Sequence, residues 1–202
     1  MGTNNSLNNV RLPDGLFEYL LVAHPDARVN GVLSLEKNWF SSKYKEKIAA
    51  ATRAHVTIAN FLAVEAMEST ISKWTHQVVS SMQSFPVVLD KFAGFPKHTI
   101  YIGVQDAVPF QQLAKKLKPV AEYIGNSNCP SVRLVSQPHF SIARGIAADV
   151  YDKAMADYSK KSFYESFMIE ELVLLRRLHQ FDKCQPVQVF RFRPPESISD
   201  VA

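Results

Sequence analysis

Two short segments of the chain repeat the same arrangement of histidine and hydroxyl side chains. His55 is followed at the second position by Thr57, and His139 is followed in the same way by Ser141. Side chains alternate between the two faces of a β-strand, so each histidine would share a face with its hydroxyl. An imidazole exchanges protons near neutral pH, and a hydroxyl donates a hydrogen bond to an anionic oxygen. Each segment therefore predicts half of a site for acid–base chemistry on an anion.

The two segments also align with each other without gaps. Residues 53–63 match residues 137–147, with the histidine, the hydroxyl, an isoleucine and two alanines in register. A lone strand histidine is more often structural than catalytic, but this repeat indicates that each half of the chain contributes one strand to a shared cleft. Phosphodiester hydrolysis needs a base, an acid and donors to the phosphoryl oxygens. The catalytic set predicted from the repeat is His55, Thr57, His139 and Ser141.

The surrounding sequence predicts strands and helices in an irregular α+β order, without the strict repetition of a wholly parallel sheet. The predicted strands are 17–23, 55–63, 85–92, 99–104, 132–135, 138–147, 164–178 and 187–192. The predicted helices are 35–52, 65–84, 108–124 and 149–161. A turn is predicted over residues 93–96.

Composition is that of an ordinary globular protein. The 202 residues are 47% hydrophobic, and a formal net charge of +4 favours anionic partners without requiring a long nucleic-acid duplex. Cys129 and Cys184 are too few and too distant in sequence for a disulfide framework, so the cytoplasm is the expected compartment. No segment is apolar for long enough to cross a bilayer, and we expect no membrane contact. We expect a disordered polar tail over residues 1–10, one bilobal domain over residues 11–202, and a monomer.

The paired motifs, with apolar residues between histidine and hydroxyl, resemble the two-histidine (2H) phosphoesterase superfamily, and above all its 2′-5′ RNA ligase-like branch. The opening strand, the segment 39–48, the strand 99–102 and the second motif follow the order of that family. The resemblance implies an α+β, bilobal and pseudo-symmetric fold, in which two antiparallel-type sheets flank a central groove with helices outside. It also implies a substrate, the 2′,3′-cyclic phosphate of a nucleotide or an RNA terminus, which the family opens to a monoester.

The resemblance assigns roles to individual residues. His55 and His139 would be the acid–base pair, with Thr57 and Ser141 binding phosphate oxygens, although threonine is more usual than serine at the second hydroxyl. Three further residues are candidates for substrate binding: Arg144 on the phosphate, Tyr101 on a base, and Phe61, which shares the strand parity of His55, also on a base. Strand parity turns Arg144 away from His139 unless a bulge intervenes. Core packing is the commoner fate of aromatic residues in strands.

Several alternatives stay open at the level of sequence. The same groove could serve a non-catalytic module that binds an RNA end or a nucleotide, or it could join 2′-5′ linkages instead of opening cyclic phosphates. The order of acid and base and the position of the product phosphate are also open. No glycine-rich phosphate loop and no third ligand near the histidines is visible, so we expect no cofactor and no metal. The remaining histidines, at positions 24, 76, 98 and 179, have no matching partner and are interpreted as surface or structural residues.

Overall fold

The computed structural model describes residues 15–46, 52–135, 137–178 and 182–195. The predicted tail over residues 1–10 lies outside the described residues, as does His179. The strands are β1 (Leu16–Ala23), β2 (Val56–Val64), β3 (Phe85–Phe95), β4 (Thr99–Val104), β5 (Arg133–Leu134), β6 (His139–Arg144), β7 (Tyr164–Ile169), β8 (Glu171–Arg177) and β9 (Gln185–Arg191). The helices are α1 (Ala27–Tyr44), α2 (Glu68–Ser80, preceded by a 3-10 turn at Glu65–Met67), α3 (Val108–Lys116), α4 (Lys118–Asn126) and α5 (Ala148–Tyr158).

The strands form two antiparallel sheets, which confirms the predicted α+β architecture. One sheet has the order β5-β2-β1-β8-β9 and the other the order β6-β4-β3-β7. The first motif lies at the start of β2, with His55 directly before the strand, and the second motif lies in β6 of the other sheet; β2 and β6 contact each other. None of the helices in the described ranges is both long and apolar enough to span a bilayer.

Two helices, α1 and α3, each pack against the sheet to which their preceding strand does not belong. Helix α1 follows β1 of the first sheet but packs against β6 and β7 of the second. Helix α3 follows β4 of the second sheet but packs against β2 of the first. An ion pair of 2.6 Å between the Arg28 guanidinium on α1 and the Glu165 carboxylate on β7 reinforces the first crossing. Each motif strand is thus supported by a helix that comes from the neighbourhood of the other sheet.

Both motif strands carry a β-bulge at the same aligned position. In the pairing of β1 with β2, Leu21 lies opposite Ala59 and Val22 opposite Thr57, so Ile58 is the extra residue. In the pairing of β4 with β6, Ile142 is the extra residue. A bulge reverses the alternation of side chains beyond it, and two successive residues then point into the core. Ile58 and the next residue are both buried, as are Ile142 and the next residue.

Several predicted boundaries were wrong for identifiable reasons. Helix α1 begins earlier than predicted because the Asp26 side chain caps it, accepting a hydrogen bond of 2.7 Å from the Val29 amide. It ends at Lys45, which takes a left-handed conformation with φ 62°. The helix predicted over 108–124 breaks at Leu117, since Pro119 has no amide to continue the hydrogen-bond ladder.

The sheet boundaries differ from prediction in two places. Strand β3 continues through the predicted turn to Phe95, and the chain reverses at residues 96–98. The strand predicted over 164–178 is interrupted at Glu170, so that β7 belongs to one sheet and β8 to the other. A continuous apolar run does not reveal that its two halves pair with different strands.

Candidate active site

His55 and His139 are held by the same contact with the backbone. Nδ1 of His55 lies 2.8 Å from the carbonyl oxygen of Arg53, and Nδ1 of His139 lies 2.9 Å from that of Gln137. A carbonyl oxygen only accepts hydrogen bonds, so Nδ1 is the donor in both rings. Nε2 is then the atom that can take up a proton from the neutral ring or release one from the protonated ring. Both motifs therefore offer the same ring nitrogen for proton transfer.

The hydroxyls of Thr57 and Ser141 precede the two bulges and keep the strand parity of their histidines. Both residues are half-buried, as are the two histidines. In the second sheet, Ser141 lies opposite Tyr101 of β4, and His139 lies opposite Gly103. Each strand therefore presents an imidazole and a hydroxyl on one half-buried face, as the sequence predicts.

The bulge at Ile142 decides the orientation of Arg144. Beyond the bulge the parity of β6 is reversed, so exposed Arg144 returns to the face of His139. Its positive charge lowers the pKa of both His55 and His139. One guanidinium thus acts electrostatically on both imidazoles, although the two histidines belong to different sheets.

Both imidazoles are biased towards the neutral form. Burial is the main cause and lowers the pKa of His55 to about 4; the hydrogen bond to Arg53 opposes it, and the charges of His24, Arg144 and Lys37 add to it. Burial also lowers the pKa of His139, and the charges of Arg133 and Arg144 act in the same direction. A bound anion would raise both pKa values, because opposite charge favours the protonated ring. The arrangement therefore favours protonation of an imidazole when a phosphate is present.

An aromatic cluster flanks His139. The ring centroid of Tyr101 lies 4.9 Å from that of His139, and the ring of Phe95 meets His139 edge-on at 5.1 Å. Phe95 also packs on Tyr101 at 4.7 Å and is 37% exposed. The structure thus places the candidate Tyr101 beside the second motif. Phe95 was not predicted as a site residue, because residues 93–96 were predicted to form a turn. If β3 had been extended to Phe95, its pairing with Thr99 at the start of β4 would have placed Phe95 next to the strand of Tyr101.

Phe61 lies in the core, and the prediction that it shares the face of His55 is wrong. It is 6% exposed and its ring stacks on Tyr19 at 5.2 Å, with an interplanar angle of 9°. The bulge at Ile58 reverses the parity of β2 between His55 and Phe61. Phe61 is therefore a packing residue and is not placed to stack on a base.

The bulge in β2 gives Asn60 the position that corresponds to Arg144. Nδ2 of Asn60 donates a hydrogen bond of 2.8 Å to the Glu18 carboxylate, which also pairs with Arg177 at 2.6 Å. Arg133 lies opposite Asn60 on β5. The two halves of the site thus differ in charge at this position, with a guanidinium on the side of the second motif and an amide on the side of the first.

Two residues near His55 were not predicted as functional. The ring of His24 lies 6.2 Å from that of His55 in an edge-on arrangement, and its Nδ1 lies 2.9 Å from the carbonyl oxygen of Ala54. Lys37 of α1 is 4% exposed, and its charge lowers the pKa of His55. Ala23 pairs with Val56 in the antiparallel ladder, and this places His24 beside His55. Pairing the first two predicted strands with each other would have revealed this neighbour.

Groups with the chemistry of metal ligands do not assemble at the site. Within the residues that the structure describes, no three side chains of histidine, cysteine, aspartate or glutamate lie close enough together to hold a metal ion. The cluster around His55 consists of imidazoles, an ammonium and a guanidinium. The charged groups there suit an anion rather than a cation.

The family model described as the 2′-5′ RNA ligase superfamily matches residues 25–180. This chain belongs to the 2′-5′ RNA ligase superfamily. The predicted relationship to the 2H phosphoesterases is thereby confirmed. Comparison with curated protein sequences gives no significant match.

Solved structures confirm the fold of this superfamily member. Escherichia coli LigT complexed with 3′-AMP is 14% identical, with a TM-score of 0.62, covering 88% of this chain and 98% of LigT. LigT complexed with NADP+ is 16% identical, with a TM-score of 0.57 and coverage of 88% and 98%. A protein described as a phosphoesterase is 14% identical, with a TM-score of 0.59 and coverage of 87% and 98%. The predicted two-sheet 2H phosphoesterase fold is therefore confirmed.

Proposed function

We propose that this protein is a metal-independent phosphodiesterase that opens 2′,3′-cyclic phosphates of nucleotides or RNA ends. The observation that carries the proposal is the matched pair of imidazoles on two contacting strand segments, each donating from Nδ1 to a backbone carbonyl and each under the influence of the charge of Arg144. Membership of the 2′-5′ RNA ligase superfamily supports phosphoester chemistry. The complexes of LigT with 3′-AMP, ATP and NADP+ support a nucleotide as the substrate class.

The proposed reaction needs one proton acceptor and one proton donor. Nε2 of one histidine takes a proton from water as its oxygen attacks the phosphorus atom. Nε2 of the other, protonated when the anion binds, gives a proton to the departing 2′ or 3′ ribose oxygen, and a phosphomonoester forms. Thr57, Ser141 and Arg144 donate hydrogen bonds to the phosphoryl oxygens. Each proton transfer can contribute on the order of 10²–10⁴-fold to the rate.

We assign the base in this reaction to His55. Its pKa of about 4 keeps the ring neutral over most of the physiological range, as a proton acceptor requires. His139 is then the acid, and it lies beside Tyr101 and Phe95, on which a nucleobase can stack. The nucleoside, which carries the leaving oxygen, would thus lie on the side of the acid.

The test is product formation from defined cyclic phosphates. The protein is incubated with the four 2′,3′-cyclic nucleotides and with a short RNA ending in a cyclic phosphate, with EDTA present, and the products are separated by chromatography. We expect phosphomonoesters, and loss of turnover in His55→Ala and in His139→Ala. The matched control is His76→Ala, an exposed histidine on α2, which should keep full activity.

Two results would contradict the proposal. Full turnover in either active-site variant would remove that histidine from the mechanism. Tight binding of the cyclic phosphate without any product would instead support a binding module that uses the same groove. Joining of a 5′-hydroxyl RNA to the cyclic phosphate end would show that the groove also opens the ring with a 5′-hydroxyl in place of water.

A further inference from the structure

Three successive carbonyl oxygens just before His55 accept hydrogen bonds from side chains. The carbonyl of Thr52 accepts from Nζ of Lys37, that of Arg53 from Nδ1 of His55, and that of Ala54 from Nδ1 of His24. Lys37 also donates to the Thr52 hydroxyl at 2.8 Å. Residues 53–55 lie outside any strand or helix, so this part of the backbone has no ladder of its own. In this segment, side chains supply the hydrogen-bond donors that a neighbouring strand supplies in a sheet.

The two external donors come from opposite sides of the groove. Lys37 belongs to α1, which packs against β6, the strand of His139. His24 follows β1, which is paired with β2 in the sheet of His55. The segment before His55 is therefore anchored to the sheet of His139 through one donor and to its own sheet through the other.

The ammonium group of Lys37 is buried, which is unusual for a lysine that only anchors a loop. Burying an ammonium is strongly unfavourable unless the charge is paired, because the ion loses its hydration. Lys37 donates hydrogen bonds to the neutral carbonyl and hydroxyl oxygens of Thr52, and burial lowers the pKa of Lys37 to about 8. No ion pair of Lys37 with a carboxylate occurs among residues 15–46, 52–135, 137–178 and 182–195. An apolar side chain would pack at lower cost, which indicates that the ammonium serves the site.

We propose that Lys37 and His24 are positioning residues for His55, holding residues 52–54 so that Nε2 of His55 keeps its place relative to His139 and Arg144. The inference rests on the proposed function of the groove. Neither side chain needs to touch the substrate. Their second effect is electrostatic, because the charged or titratable groups that act on His55 are His24, Lys37 and Arg144, and each disfavours the protonated ring.

The test uses substitutions that separate positioning from packing. Lys37→Met keeps the length of the side chain without the donor, and His24→Leu removes the second donor. His24→Asn is the conservative variant, because its amide nitrogen can still donate to the carbonyl of Ala54. The matched control is Lys43→Met on the same helix, where the lysine is exposed and paired with Asp157 at 2.6 Å. Thr52→Val removes one acceptor of Lys37 without burying a new charge and gives a second variant if Lys37→Met does not fold.

Two readouts are measured for each variant. The first is kcat and KM for a 2′,3′-cyclic nucleotide; the second is the titration of the His55 ring by NMR in the protein without substrate. We expect kcat to fall by about 10²-fold in Lys37→Met and His24→Leu, the cost of a small misplacement of a catalytic group, with KM little changed. The pKa of His55 should rise in both, because a neighbouring positive or titratable group is lost. His24→Asn should recover most of kcat, and Lys43→Met should match the wild type.

The outcomes distinguish this inference from the proposed function. Wild-type kcat and an unchanged His55 titration in Lys37→Met and Thr52→Val would overturn the positioning role while leaving the phosphodiesterase proposal intact. Failure of the wild-type protein to open any cyclic phosphate would overturn the proposed function. In that case the NMR titration alone would test the positioning role. An unchanged pKa of His55 in Lys37→Met and His24→Leu would overturn that role, and a raised pKa would support it.

Discussion

Replacing His55 by glutamine should make the folded protein less sensitive to mild acid. Burial and the neighbouring charges lower the pKa of His55 to about 4 in the folded state, against an ordinary value of 6.5. The unfolded chain therefore binds a proton at this residue between these two pH values, and the folded chain does not. Because the unfolded state binds this proton and the folded state does not, the free energy of unfolding falls as the pH drops from 6.5 towards 4. Glutamine has no such proton to bind, so the variant lacks this loss.

The size of the effect follows from the two pKa values. For one site with pKa 6.5 unfolded and about 4 folded, the loss of unfolding free energy is about 0.2 kcal/mol at pH 7 and about 2 kcal/mol at pH 5. Wild type should therefore lose about 2 kcal/mol more than His55→Gln on going from pH 7 to pH 5. Part of the absolute stability will change with the substitution itself, but the difference between the two pH values isolates the titration.

The measurement is urea unfolding of both proteins at pH 7 and pH 5. Ser141→Ala is the matched control, since it changes the same site but keeps the imidazole of His55, and it should follow the wild type. Equal loss of stability in wild type and His55→Gln would refute the claim that the fold holds His55 neutral. The assignment of His55 as the base would then lose its physical support.

Three further predictions follow from the geometry of the site. First, kcat/KM for a cyclic nucleotide should be greatest below pH 6.5 and fall at higher pH, because the pKa of the acid His139 is lowered; a pH-independent rate from 6 to 9 would contradict this. Second, Arg144→Gln should raise KM by about 10- to 100-fold, the value of a hydrogen bond to a charged group, while a KM within about twofold of wild type would remove Arg144 from the phosphate site. Third, Tyr101→Ala should raise KM for a nucleotide about tenfold, whereas Phe61→Ala should cost about 3–5 kcal/mol of stability in urea unfolding. The reverse pattern would contradict the positions of these two rings.

The chemistry of the site was visible in the sequence because it depends on residue types at short spacing. A histidine and a hydroxyl two residues apart share a strand face whatever the rest of the fold does. The repeat of that spacing at His55 and His139 then predicted that two distant segments meet. The contact of β2 with β6 and the common influence of Arg144 are consistent with that meeting.

Strand parity failed where it was extended beyond a bulge. A bulge depends on the register of the neighbouring strand, so the sequence around Ile58 or Ile142 does not reveal it. The same local change had opposite consequences in the two halves. It brought Arg144 back to the face of its histidine, and it sent Phe61 into the core.

Long-range pairing explains most of the other differences. The apolar run before and after Glu170 looks like one strand, but its two halves pair with different sheets. His24 had no visible partner because its neighbour His55 lies beside the next strand along the chain. Lys37 lies inside the predicted helix 35–52, but its burial and its contact with Thr52 depend on tertiary packing. Each of these positions depends on which elements pack together, which local periodicity does not specify.

The claim that the two histidines act as one acid–base pair is tested most directly by comparing single and double substitutions. Turnover of a 2′,3′-cyclic nucleotide is measured with EDTA present for His55→Ala, for His139→Ala and for the double variant. If the imidazoles act as a unit, each single substitution should lose nearly as much rate as the double, because removing either one stops the concerted proton transfers. Losses that multiply independently, or a single variant that retains most of the wild-type rate, would contradict the account.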